Sequence, residues 1–158
     1  MKDTTVFVPV LRVGSPTFDP HALLAAHPEV KPYDVWRAGD PFLRGRTRSK
    51  SGFAVDLGSG AKCSTVVRRC IEKIRTMTPA LRKARKAGAT SELDIGVMPD
   101  ARWFVLSTRF SPDDLAVLAK AGVALCVSSY PAHDSGASRR GATTRRRPAV
   151  RKRRERAS

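Results

Sequence analysis

The chain has 158 residues and a formal net charge of +16, with 41% hydrophobic and 28% charged residues. That composition is globular, the length suits one domain whose core needs no metal or disulfide staple, and no apolar run approaches the roughly 18 residues of a membrane span. Met1-Lys2-Asp3 lacks the basic start of a signal peptide, and Cys63, Cys70 and Cys126 are odd in number with no CxxC spacing, so a cytoplasmic protein with reduced thiols and no membrane association is expected.

Residues 4–13 alternate as a strand, in which Pro9 lacks an N–H and implies an edge position or a bulge. Asp19-Pro20 supplies an N-cap and a first helical residue for a short helix, Pro20 to Ala26, with Leu23 and Leu24 inward. Trp36 belongs to a short strand closed by a turn at Gly39-Asp40. Residues 41–50 place Arg44, Arg46, Arg48 and Lys50 at alternating positions; this segment reads as a solvated loop. Ser51–Leu57 alternates again, with Phe53, Val55 and Leu57 inward.

A long helical stretch follows, in which Val67, Cys70 or Ile71, Ile74 and Leu81 recur near a 3.6-residue period. Pro79 implies two helices, about 64–76 and 79–87, or one kinked helix, stopped by Gly88. Two strands follow, Glu92–Val97 and Arg102–Thr108. Ser111-Pro112-Asp113-Asp114 then opens a helix with cap, proline and two acids at the positive end of the dipole. Leu115, Leu118 and Ala119 form its apolar stripe, Gly122 ends it, and Val123–Tyr130 is the last strand. The order β-α-β-β-α(α)-β-β-α-β predicts an α+β fold: a mostly antiparallel sheet with helices on one face.

The charge is uneven. Residues 135–158 hold nine arginines and Lys152 against Glu155 alone, a net +9, which leaves +7 on residues 1–134. Val150 is the only large aliphatic residue of that tail, and it has no aromatic. The expectation is therefore a single domain over 1–134 followed by a disordered, basic, Arg-rich tail. The helical stretch is basic too, with Lys62, Arg68, Arg69, Lys73, Arg75, Arg82, Lys83, Arg85 and Lys86 against Glu72. It reads either as a solvated helix face or as a docking surface for an acidic partner or a phosphate backbone.

The segment Trp36-Arg37-Ala38-Gly39-Asp40, preceded by an early strand and a helix with Asp19-Pro20, resembles a mark of the mainly bacterial family called domain of unknown function 4279. A short basic loop and Ser51-Gly52-Phe53 follow as in that family, which more often has tryptophan where Phe53 stands. Phe104–Ser107, Ser111-Pro112-Asp113, Gly122 and a strand ending at Tyr130 continue the likeness, which covers about residues 5–131. The resemblance implies a compact fold and no assigned activity.

No catalytic or metal constellation is legible. Gly58-Ser59-Gly60-Ala61-Lys62 lacks P-loop spacing and reads as a strand-to-helix turn. His21, His27 and His133 have no metal-ligand spacing. Cys63 opens a helix among basic residues, but no base can be assigned to it, and Cys70 and Cys126 read as core. Trp36, Arg37 and Asp40 with the following Arg44, Arg46 and Arg48 form the candidate ligand or partner site, since an aromatic beside arginines can build a cationic pocket. The structural account makes Trp36 a core anchor beside a turn bonded by Asp40. The expected function is that of a non-enzymatic binding module without cofactors, engaging a protein partner as an immunity or accessory protein does. The alternative is a nucleic-acid-associated protein making non-specific phosphate contacts. Those would come from Arg68, Arg69, Lys73 and Arg82 on the helix, and from Arg139, Arg140, Arg145, Arg146, Arg147, Arg151, Lys152, Arg153 and Arg154 in the tail.

Overall fold

The computed structural model describes residues 5–99 and 107–130. Strands β1 (Val6–Ser15), β2 (Asp34–Trp36), β3 (Ser51–Asp56), β4 (Thr90–Met98) and β5 (Val123–Ser129) form one sheet in the order β2-β3-β1-β4-β5. Every pairing is antiparallel except β4 with β5, which is parallel. Helices α1 (Pro20–Ala26), α2 (Cys63–Lys86) and α3 (Pro112–Ala121) complete an α+β fold. The tail from Ser135, His133 and the expected strand Arg102–Thr108 lie outside the described residues, save Ser107 and Thr108, which belong to no strand.

Alternation along the strands separates two faces. Phe7, Leu11 and Val13 of β1, Val35 of β2, Phe53 and Val55 of β3, and Leu93, Ile95 and Val97 of β4 point to the helical layer. There they meet Leu23 of α1, the α2 stripe Val67, Cys70, Ile74, Met77 and Leu81, and Leu118 of α3. The stripe expected on α3 is only partly inward. Leu118 is buried, but Leu115 is 47% exposed and Ala119 is exposed, whereas Ala121 and half-buried Val117 pack inward.

Pro9 does not mark an edge, since β1 is the central strand, but it does sit beside a bulge: Val10 pairs with Asp56, whereas Phe7 and Gly60 bond each other both ways, one residue more on the β3 side. In an antiparallel ladder a residue directs its N–H and C=O to the same neighbour. The Pro9 carbonyl accepts from Leu57 N at 3.2 Å. The missing N–H therefore faces the β3 side one residue past Asp56, where β3 has already ended. Pro79 is likewise absorbed within one continuous α2. Its absent N–H frees the Arg75 carbonyl, but Pro79 and Arg75 both sit on the exposed face, where water reaches that carbonyl. The buried stripe runs past this point through Ala80, Leu81 and Ala84, and that packing carries the helix across. Gly88, at φ 82°, supplies the left-handed residue after the cap.

Helix α3 starts as its sequence dictates. Ser111 Oγ accepts from Asp114 N at 3.1 Å, and Asp114 Oδ2 accepts from Ser111 N at 2.9 Å, a reciprocal capping box. It ends at Gly122, φ 71°, where the Arg85 side chain packs so closely that a Cβ would lie 2.9 Å from Arg85 Cδ.

Candidate functional site

Between β2 and β3 the chain makes a hairpin-like excursion, residues 37–50. Its arms are tied by Gly39 N to Arg48 O at 2.8 Å, Arg48 N to Asp40 O at 2.9 Å and Phe42 N to Arg46 O at 2.6 Å. Asp40 Oδ2 accepts from Arg37 N at 2.6 Å, the turn bond expected of an aspartate before proline. Arg48 is not simply solvated. Its guanidinium carbon lies 4.1 Å over the Trp36 ring and 4.6 Å over the Phe42 ring, and Nη2 donates to Asp34 Oδ2 at 2.9 Å. One cation thus ties the strand, the arm and the tip together.

The tip itself faces outward. Leu43 is 74% exposed and Phe42 45%, with exposed Arg44 and Arg46 in the same turn. Arg44 adopts φ 60°, ψ 37°, the left-handed region, and Gly45 follows at φ 72°. A side chain held there costs about 1–2 kcal/mol, and such strain concentrates at sites that bind. The structure thus brings the six candidate residues into one hairpin but divides their work. Trp36, Asp40 and Arg48 build the support, Arg44 and Arg46 lie at the tip, and Arg37 is exposed at the base of the excursion. Phe42 and Leu43, which the sequence reading did not single out, are its apolar centre. Their signal was there: two adjacent large apolar residues inside a basic loop.

Trp36 is not a core anchor. It pairs with Gly52 on the face opposite the helices, while Val35 enters the core. Its half-buried ring lies on Gly52, where a Cβ would stand 2.9 Å from Trp36 Cζ2 and would collide with the Val13 carbonyl. The same face carries a polar network. Arg12 Nη1 donates to Asp94 Oδ2 at 2.8 Å, and Ser128 donates to Asp94 Oδ1 at 2.8 Å. Burial opposes the Arg12 charge, but the Asp94 bond and charge outweigh it and raise the Arg12 pKa. Cys126 belongs to this face rather than to the core: it is half-buried, with Sγ 3.7 Å from Ser128 Oγ.

Of the helical cations expected to meet phosphate, two are already engaged. Arg69 Nη1 donates to the carbonyls of Gly58 and Ser59 at 3.2 Å each, and Lys73 Nζ to the Asp56 carbonyl at 3.3 Å. They fasten the β3–α2 turn, whose carbonyls face a guanidinium, so Gly58–Lys62 is a strand-to-helix turn. Arg68 and Arg82 are exposed. Arg82 lies in an open groove of about 550 Å³ with Arg75, Thr78, Pro79, Val117 and Lys120. This groove adjoins a second of about 570 Å³ lined by Arg82, Arg85, Lys86 and Lys120. Lys120 joins this cluster only because α3 packs on α2. The nine tail cations named as candidates lie outside the described residues.

The remaining candidates do not converge. Cys63 is the first residue of α2 and half-buried. His27 Nδ1 pairs with Glu29 at 3.0 Å, and His21 lies in the first turn of α1. Among the described residues no three His, Cys, Asp or Glu side chains come together as a metal site. A hollow of about 200 Å³ beside Glu29, Lys31, Asp56 and Lys73 is smaller than the roughly 300 Å³ at which ligand pockets begin. No described helix is long and apolar enough to cross a membrane. No family model matches the chain, and neither the curated proteins nor the solved structures give a significant match.

Proposed function

We propose that this protein is a small non-enzymatic binding module whose partner is a protein, engaged through the tip of the 37–50 hairpin. The observation that carries the reading is Leu43, 74% exposed beside Phe42, on a support held by Arg48 between two aromatic rings. Apolar and arginine side chains on a pre-ordered surface are what interface centres use, because little entropy is lost when they dock. The matching partner surface is an apolar pocket rimmed by carboxylates that face Arg44 and Arg46, with Arg37 exposed at the base of the same hairpin. An immunity or accessory role, a cytoplasmic setting and kinship with the domain of unknown function 4279 belong to this proposal.

The test compares the full chain with Leu43→Glu as baits in lysate of the native host, with and without nuclease. The reading expects a nuclease-resistant protein that the wild type retains and Leu43→Glu loses, with unchanged melting curves. Bound material that nuclease removes and Leu43→Glu does not affect would replace it with the nucleic-acid reading.

A further inference from the structure

Independently of the hairpin tip, we infer that the adjoining grooves between α2 and the end of α3 form a site for the phosphate backbone of duplex nucleic acid, held by Arg75, Arg82, Arg85, Lys86 and Lys120. These five cations line the two grooves, and among the described residues no carboxylate lines either. Among the described residues none of their side chains forms an ion pair or a hydrogen bond. Their simplest structural role is to face the negative helix ends. Arg85 and Lys86 lie in the last turn of α2 and Lys120 in that of α3. Each end carries about half a negative charge, so the two together account for about one of the five positive charges. Roughly four remain uncompensated within a single depression, where each raises the potential felt by the others.

A phosphodiester backbone fits this arrangement better than an acidic protein. From Arg75 to Lys86 helix α2 rises about 16 Å, and over that length one strand of a duplex presents about five phosphates. The groove offers a protein little to anchor on. Among the described residues its apolar lining is Pro79 and Val117, with no aromatic, whereas protein interfaces have apolar or aromatic centres with charge at the rim. The chain's +16 adds long-range attraction for any polyanion. No side chain here is fixed against a base edge, so binding is independent of sequence.

The experiment measures binding of the full chain to a labelled 20-base-pair duplex of arbitrary sequence across a salt series. Two charge-matched variants are compared: Arg75→Gln/Arg82→Gln/Lys86→Gln/Lys120→Gln in the groove, and Arg37→Gln/Arg44→Gln/Arg46→Gln/Lys50→Gln on the hairpin. All eight side chains are exposed, so both variants keep the fold, which circular dichroism checks. The groove variant should lose at least tenfold in affinity near 0.1 M salt, and its log–log salt slope should become shallower by about 3–4, at about 0.9 per lost phosphate contact. The hairpin variant should change the slope by less than about 1. Equal effects of the two variants, or a groove variant with unchanged slope, would overturn the proposal. So would groove-dependent binding of poly-glutamate with no binding of duplex, which would assign the groove to an acidic protein.

Discussion

At the residue scale the hairpin is organised by Arg48, which touches two rings and one carboxylate. Because Trp36 is only half-buried, Trp36→Ala should cost about 1–2 kcal/mol, below the roughly 3–5 of a fully buried aromatic. A double-mutant cycle with Arg48→Ala should return a coupling of about 0.5–2 kcal/mol. Urea melts measure both, and additive effects would separate the two side chains energetically. Arg44 should show the reverse sign. Arg44→Gly removes the left-handed strain and should raise stability by about 1 kcal/mol while weakening the partner contact at the tip. Burial pushes the Cys70 thiol from an ordinary 9.0 up to about 11. A thiol that ionises less readily folded than unfolded stabilises fully below the unfolded value, and that contribution is lost as pH rises through the folded one. Between about pH 9 and 11 the wild type should therefore lose stability faster than Cys70→Ala, as read from urea midpoints. Parallel curves would mean the thiol is solvated.

At the scale of elements, proline placement and caps decide the local energetics. Pro79 leaves one α2 hydrogen bond unmade on the exposed face. Pro79→Ala restores the N–H and should stabilise by at least about 1 kcal/mol, part of the roughly 3 that a mid-helix proline costs. A loss of stability on thermal melting would show that the helix depends on the bend proline imposes. Ser111→Ala removes half of the capping box and should cost about 1 kcal/mol. The sequence of α3 announced this cap because cap, proline and acids are local signals. Its buried face was less legible. Leu115 has the right period, but whether a periodic position is covered depends on how far α3 overlaps α2 and the sheet.

At the scale of the molecule, charge sets the solution behaviour. Two arginine–aspartate ion pairs are formed among the described residues, against a net charge of +16. Repulsion among cations therefore outweighs pairing, and screening should help the folded state. Raising salt from about 0.02 to 0.3 M, which shortens the screening length to below about 10 Å, should raise the melting temperature. A fall would mean that the Arg12–Asp94 and Arg48–Asp34 pairs contribute more than the global repulsion.

The sequence by itself determined the features whose signals are local. Asp19-Pro20 and Ser111-Pro112 start helices, Gly88 and Gly122 stop them, and the alternation around Phe53, Val55, Leu93 and Ile95 marks strands whose alternate residues face the helices. Those signals also made the α+β class legible, because period and caps act within a few residues. Only the tertiary structure decided what depends on neighbours distant in the chain. It placed Pro9 in the central strand, because β3 happens to end beside it. It turned Trp36 away from the core, because Gly52 leaves room on the far face and Val35 takes the inward place. It committed Arg69 and Lys73 to carbonyls of a turn, and it carried Lys120 on α3 to the cations of α2. Charge and hydropathy state what a residue tends toward; which partner it meets is fixed by strand order and helix packing, which no short window of sequence contains.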